Sequence, residues 1–371
     1  MRKIINNIVG FPNDAESIRF TACFVSMLMR AQGIIDEEQD FYCSSQNGPC
    51  IKCGKCENVV PLKRLHNEIY NLYTIVTGYG FLQIDLSNDE HMTNNWDFTS
   101  QVLLNEFDDY IDFTMDFAGY EYEKIQRPES KSSIYEKIKA SIDRDVPVLI
   151  QFKHLLQWVL ATGYDDKNKS ILGFDGSQGY WGASCAEPED YEDNLFVMSD
   201  WYEKLACAYI VGVKKESKVG IRDVFKRGKQ IMQVMNDEKY YQKSVAYIRN
   251  KSNFEDLNDE ELLELRNRIS RWIGQPIDIR AMMGSAMNPL KNDESFSRDE
   301  AITFHKINGL CWTIHDVLWI AWFAIGEYKG GEKLEWARGL LNPVIRNTVA
   351  DCMDFVVRHD EMILDAIIEN F

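Results

Sequence analysis

Positive charge is scarce in this sequence, and its scarcity excludes two kinds of partner. Lysines and arginines number 41 against 58 aspartates and glutamates, which gives a formal net charge of −17. Nucleic-acid backbones and anionic membrane surfaces would both repel such a chain. We therefore expect neither nucleic acid nor a membrane among its partners.

Long apolar runs are also lacking. Residues 1–9 have neither the extended apolar core nor the small-residue cleavage site of a signal peptide. The most apolar run, residues 307–325, contains Asn308, His315 and Asp316, so we interpret it as a buried helix and not as a membrane span. The expected compartment is therefore the cytoplasm. The sequence shows no repeat of solenoid period and no low-complexity stretch.

The residues that are present are typical of a globular protein with two domains. The chain has 371 residues, of which 45% are hydrophobic and 12% aromatic, enough for a sizeable core. Helical and strand patterns mix in the first part, whereas the spacing beyond residue 220 is helical almost throughout. The sequence therefore predicts an α+β protein, with a mixed domain over residues 1–215 and an α-helical domain over residues 220–371. The stretch KKESKV (residues 214–219) is the predicted linker.

Residues 20–33 place a cysteine at the start of a predicted amphipathic helix. Apolar residues recur at helical spacing from Phe24 to Ala31, and Gly33 stands where a helix would stop. A thiol at that place lies near the positive end of the helix dipole, which lowers its pKa and favours the nucleophilic thiolate. Cys23 is therefore the first candidate catalytic residue. The alternative is a buried, apolar cysteine in a core helix.

Residues 146–176 predict two strands and part of a third. The strands are expected at residues 146–152, 157–164 and 171–175, with the turn sequence DDKNK between the last two. The chain would thus carry a thiol on a helix, followed by a pair of strands with polar residues at their ends.

These two stretches together resemble papain-like cysteine enzymes. The run QWVLATGYDD followed by ILGFDG is similar to the signature of the double-glycine-leader peptidases, and more similar still to that of the butirosin-type acyltransferases of antibiotic biosynthesis. The resemblance covers roughly residues 15–213, and it implies a papain-like fold with an antiparallel sheet behind the Cys23 helix. Asp175 corresponds to the family's third catalytic residue, a carboxylate that orients an imidazolium. A turn-forming aspartate before Gly176 would explain the same dipeptide.

The catalytic histidine of those families is replaced here by Gln157. A carboxamide cannot accept a proton from a thiol, so Gln157 cannot act as the general base. Three interpretations stay open. The protein kept the fold and its pocket without catalysis, or His154 from the loop between the strands acts as the base, or the thiolate attacks an activated thioester without any base.

An oxyanion hole in such an enzyme would combine the backbone N–H of Cys23 with a side-chain donor from just upstream. Papain-like enzymes use a glutamine there, and none precedes Cys23 in this sequence. Asn13, Arg19 and Thr21 are among the donors available.

Four cysteines crowd into a loop-like insertion at residues 40–60, with the spacing C-x6-C-x2-C-x2-C. They are Cys43, Cys50, Cys53 and Cys56. Four thiolates so close in sequence can surround one zinc ion tetrahedrally, and structural zinc is therefore the predicted cofactor. An iron–sulfur cluster and a metal-free loop of reduced cysteines are the alternatives. No cofactor is expected for catalysis.

The resemblance implies acyl transfer or amide-bond formation through an acyl-thioester on Cys23. The donor would be an acyl group on a carrier protein or a small molecule in natural-product biosynthesis, and an amine would accept it. A cysteine peptidase is less favoured, because Gln157 cannot protonate a leaving amine. The alternatives are a catalytically silent papain-like binding or scaffold protein and a metal-dependent regulator built on the four cysteines. The helical domain, with its tryptophan stripe, offers a surface for a homodimer.

Overall fold

The chain folds as an α+β protein in the computed structural model, as the sequence predicts. The structure describes residues 1–9, 18–34, 56–89, 96–153, 157–175, 191–192, 195–326 and 333–371. In chain order, the helices and strands of these stretches are β1 (Arg2–Ile4), α1 (Arg19–Ala31), α2 (Cys56–Val76), α3 (Trp96–Asn105), α4 (Tyr110–Ala118), β2 (Tyr120–Gln126), α5 (Lys131–Asp143), β3 (Val148–Phe152), β4 (Trp158–Asp165), β5 (Ser170–Phe174), β6 (Tyr191–Glu192), β7 (Leu195–Met198), α6 (Trp201–Lys204), β8 (Leu205–Lys214), α7 (Ile221–Asp237), α8 (Tyr240–Arg249), α9 (Ser252–Glu255), α10 (Asp259–Leu290), α11 (Arg298–Ala324), α12 (Lys333–Gly339) and α13 (Pro343–Asn370).

The chain divides into two compact units, and each unit is built from two separate segments. The first unit comprises residues 1–73 and 114–218, and the second comprises residues 74–113 and 219–371. The last change of unit, at residues 218–219, lies within the predicted linker, residues 214–219. The segment 74–113 belongs to the second unit, although the sequence analysis placed it in the first. In the described parts of both units, no helix combines the length and the apolar character that a membrane crossing requires.

The first unit is organised on an antiparallel sheet with the strand order β2-β8-β3-β4-β5-β7-β6. Strand β4 is its centre, since β5 pairs along one edge while β3 and β1 share the other. The signature run QWVLATGYD supplies this strand, and all of its residues up to Tyr164 are buried. The predicted strands at 146–152, 157–164 and 171–175 are confirmed, with each end within two residues of its predicted place.

A β-bulge interrupts the pairing of β4 with β5. Ala161 pairs with Gly173, but the next pair is Gly163 with Leu172, so β4 carries one extra residue there. Gly173 is required at this point, because a Cβ would collide with the carbonyl oxygen of Leu160. The extra residue reverses the alternation of side chains along β4.

This reversal allows one strand to support helices on both faces of the sheet. The ring of Trp158, before the bulge, meets Phe20 of α1 at a centroid distance of 5.0 Å. The ring of Tyr164, beyond the bulge, meets Tyr135 of α5 at 6.4 Å. Helix α1, which carries Cys23, therefore covers one face of the sheet and α5 covers the other.

The second unit is helical in its later segment, where α10, α11 and α13 are its longest helices. Local signals set their starts: Asn258 and Ser297 each form a capping box with the residue three positions on, and Asn342 caps α13 ahead of Pro343. The sequence pattern predicts that α10 stops at Gly274, but the helix continues through Pro276 to Leu290. Pro276 is buried with its neighbours, and packing of the helix outweighs the lost hydrogen bond.

Glu300, in the first turn of α11, provides a test of stability against pH. The Arg222 guanidinium donates two hydrogen bonds to it, at 2.5 and 3.0 Å, and the Ser297 N–H donates a third. These bonds, that from Arg222 first, lower the pKa of the Glu300 carboxyl to about 2. A carboxyl whose pKa is depressed by folding stabilises the protein fully above its unfolded pKa, and this stabilisation is lost as the pH falls towards 2.

We expect Glu300→Gln to lower the free energy of unfolding at pH 7 by about 1–2 kcal/mol, a value reduced from the pKa shift because Arg222 is half exposed. Urea unfolding of the wild type and of Glu300→Gln at pH 7 and pH 3 measures this loss. The difference in free energy of unfolding between the two proteins should be smaller at pH 3. A difference that stays constant with pH would mean that the charge of Glu300 is not what stabilises the helix start.

Candidate active site

The first turn of α1 brings together the two sequence stretches that carry the resemblance. The Nη1 of Arg19 donates a hydrogen bond of 2.6 Å to the backbone carbonyl oxygen of Asp175, just after β5. Phe20, the next residue, lies edge-on to Trp158, the first residue of β4. The start of the Cys23 helix, the start of β4 and the end of β5 therefore meet at one end of the sheet, although 156 residues separate Arg19 from Asp175.

The helix start itself is fixed by a side chain that sequence reasoning missed. The hydroxyl of Tyr70, on α2, accepts a hydrogen bond of 3.0 Å from the N–H of Ile18, the residue that caps α1. One turn further, Phe24 packs against Tyr73 with a centroid distance of 5.1 Å. Burial first, and the nearby Tyr120 second, raise the pKa of Tyr73, so its ring stays neutral. No local pattern around Ile18 signals a partner 52 residues away.

Cys23 lies in the second turn of the helix and not at its start. It is the fifth residue of α1, because the helix begins at Arg19. The Ala22 N–H already donates to the Ile18 carbonyl, and helical geometry directs the Cys23 N–H to the carbonyl of Arg19 in the same way. The backbone donor expected for an oxyanion hole is therefore occupied, and the dipole effect declines beyond the first turn. The side chain is 1% exposed.

Gln157 and Asp175 are both buried at the same end of the sheet. Gln157 precedes β4, is 6% exposed, and accepts a hydrogen bond of 2.8 Å from the Phe152 N–H through its backbone carbonyl oxygen. Asp175 follows β5 and is 3% exposed. His154, the proposed substitute base, lies outside the described residues, as do Asn13 and Gly176. The role of His154 therefore stays a prediction.

The four-cysteine motif falls almost entirely outside the described part of the chain. Cys43, Cys50 and Cys53 lie in residues 35–55, and Cys56 begins α2 with a side chain that the structure does not describe. In the stretches that are described, no three histidine, cysteine or acidic side chains form a group that could hold a metal. Structural zinc in the insertion stays a prediction.

The elements that meet at this end of the sheet carry a buried thiol, a buried carboxamide and a buried carboxylate, at Cys23, Gln157 and Asp175. The carboxamide cannot accept the thiol proton, and the helix already engages the N–H of Cys23. No family model, curated protein or solved structure matches this chain. The interpretation of the site therefore depends on the resemblance of its residues and on this geometry.

Proposed function

We propose that the first unit is a papain-like domain that binds an acyl or peptidyl group without cysteine catalysis of its own. The burial of Cys23 in the second turn of α1 carries this proposal, because the thiol is 1% exposed and helical geometry directs its N–H to a carbonyl group of the same helix. Gln157 in place of the general base supports it independently. The binding cleft would be at the end of the sheet where α1, β4 and β5 meet.

A second candidate is acyl transfer through a Cys23 thioester, and the bond from Arg19 to the Asp175 carbonyl favours it. This bond supports the juxtaposition that the resemblance to the butirosin-type acyltransferases implies. A thioester substrate has a good leaving group, so the step from donor to Cys23 would not need Gln157 to act as an acid. Substrate binding would then have to uncover the thiol.

Both candidates share the same expected partners. The ligand would be an acyl group, delivered by a carrier protein or as a small molecule, and the second candidate adds an amine acceptor. We propose zinc at Cys43, Cys50, Cys53 and Cys56 as a structural ion in either case.

Alkylation of Cys23 separates the two candidates. In the folded protein at pH 6, we expect iodoacetamide to modify Cys23 at least about tenfold more slowly than in the same chain unfolded in urea, because a thiol that is 1% exposed reacts only after local opening. Mass spectrometry of peptides assigns the modified residue. Cys207 of β8 is the matched control, since it is also a buried thiol of the first unit.

If Cys23 reacts faster than the unfolded thiol while Cys207 remains slow, the Cys23 thiolate is activated. That result would reject the binding proposal in favour of acyl transfer. The Gln157→His variant sharpens the comparison. An imidazolium beside the thiol would accelerate alkylation, whereas a buried thiol held in the second helical turn should keep its slow rate.

A further inference from the structure

Helix α11 of the second unit carries an exposed apolar stripe. Ile302, Trp312, Ile320 and Phe323 are 54%, 39%, 55% and 50% exposed. At 100° per residue they fall within an arc of about 80° on one side of the helix. Isolated exposed apolar residues are ordinary on a protein surface, but four large ones aligned on one helix indicate an interaction face.

Gly309 leaves a gap in the middle of this stripe. It lies within the same arc, and a Cβ built on it would have no atom within 4 Å. A glycine in a helix interior costs stability relative to alanine, and nothing in its surroundings requires one here. Trp312 stands one turn further along the same face. On this face a large side chain, Trp312, therefore lies next to a position without a side chain, Gly309.

The two charged residues between Ile302 and Ile320 have opposite signs. Lys306 is exposed towards the start of the helix, and Asp316 is 77% exposed towards its end. A parallel copy of α11 would put like charges side by side. An antiparallel copy would put Lys306 opposite Asp316 twice.

We propose that α11 pairs with α11 of a second copy of this chain, antiparallel, about a two-fold axis between Gly309 and Trp312. In that register each Trp312 fills the gap at the partner's Gly309, in the manner of a knob and a hole. Lys306 meets Asp316 of the other copy, and Ile302 meets Ile320. One symmetric arrangement thus pairs three features of the helix, whereas Phe323 lies at the edge of the paired stretch, opposite the first turn of the other helix.

The size of the stripe predicts a weak dimer. It extends about 30 Å, and a helix–helix contact about 10 Å wide would bury on the order of 300 Å² per copy. Standard specific interfaces bury about 800 Å² per partner. We therefore expect a dissociation constant in the micromolar range or weaker, so that the balance of monomer and dimer depends on the protein concentration.

The Gly309→Leu variant tests whether the space at Gly309 receives Trp312 of the other copy. A leucine at this open helical position should raise the thermal midpoint of the isolated chain, because it replaces a helix-interior glycine and meets no neighbour. It should also weaken association at least about tenfold, because it occupies the space that Trp312 needs. Sedimentation equilibrium of the full chain from about 5 μM to about 500 μM measures the association. A more stable yet monomeric variant cannot be explained by misfolding.

A charge exchange tests the register. Lys306→Glu and Asp316→Lys should each weaken the dimer about tenfold, and the double variant should restore it, because the two exchanged charges would again attract each other across the axis. Positions 306 and 316 are about 15 Å apart along one helix, so rescue within a single chain is excluded. Val344→Glu, at a 68% exposed site on α13, is the control and should leave association unchanged.

A chain that is monomeric over the whole concentration range would overturn the proposal. Association that survives Gly309→Leu, or a double variant as weak as each single one, would assign the contact to another surface. Loss of association in Val344→Glu would have the same meaning.

Discussion

Replacing Arg280 with methionine should lower the free energy of unfolding of the second unit by about 3–5 kcal/mol, which is typical when one partner of a buried ion pair is removed. Arg280 and Asp360 are both 0% exposed, and two hydrogen bonds of 2.8 and 2.6 Å join them. The guanidinium also donates to the carbonyl oxygens of Gly80 and Leu82. Burial alone would lower the pKa of Arg280, but the Asp360 carboxylate outweighs burial and raises it. The substitution would leave the two carbonyl groups without this donor and the buried Asp360 carboxylate without its cation, although the Gln83 amide still donates to it at 3.3 Å.

The exposed ion pair of the same unit is the matched control. Arg338 donates two hydrogen bonds to Asp259, but both side chains are more than half exposed. Arg338→Met should therefore cost less than about 1 kcal/mol. Urea unfolding of both variants, with Arg280→Met/Asp360→Leu as a third, measures the difference. The double variant should recover part of the lost free energy of unfolding. If Arg280→Met stays within about 1 kcal/mol of wild type, the buried ion pair does not stabilise the unit as we expect.

Trp158→Ala should destabilise the first unit by about 3–5 kcal/mol and also increase the reactivity of Cys23. The indole is 0% exposed and lies 5.0 Å from the ring of Phe20 and 5.9 Å from that of Tyr209. Its removal leaves a cavity beneath the first turn of α1. Since Cys23 is 1% exposed, we expect it to react through local opening of that helix, and iodoacetamide should modify it at least about tenfold faster in the variant.

Trp158→Phe serves as the control, since it retains an aromatic ring against Phe20 and should lose less stability. Both variants are measured by urea unfolding and by alkylation in the absence of denaturant. If Trp158→Ala is destabilised but Cys23 keeps its wild-type rate, the start of α1 is held by its bonds to Tyr70 and Asp175 and not by this contact.

Elements with strong local signals could be predicted from the sequence. The continuous apolar start of the run WVLATGYD and the turn sequence that follows it specify β4, and the capping residues Asn258 and Ser297 specify the starts of α10 and α11. In each case the information lies within a few residues of the element itself.

The start of α1 could not be predicted in this way. Its capping residue, Ile18, makes no side-chain capping bond, and the N–H is satisfied by Tyr70 from another helix. The amphipathic pattern identifies the helix that carries Cys23 but is silent on where the first turn begins. The helix starts at Arg19, ahead of the cysteine, and this moves the thiol from the end of the dipole to the second turn, which changes its expected chemistry.

The sequence also could not show that residues 74–113 belong to the second unit. Their backbone carbonyl groups at Gly80 and Ile84 accept hydrogen bonds from Arg280 and Trp272 of α10. A carbonyl group is common to every residue, so no side-chain pattern in this segment identifies its partners. Only the folded arrangement of α10 shows which segment it holds.

This discontinuous second unit has a consequence for the newly made protein. The carbonyl group of Gly80 leaves the ribosome 200 residues ahead of Arg280, and Asp360 follows 80 residues later still. At about 5–20 residues per second, the early segment waits on the order of 10–40 s for its helix. All residues of the first unit have been synthesised by then. During that time, residues of the early segment that are buried in the folded unit, such as Phe81 and Leu82, lack the later helices that cover them.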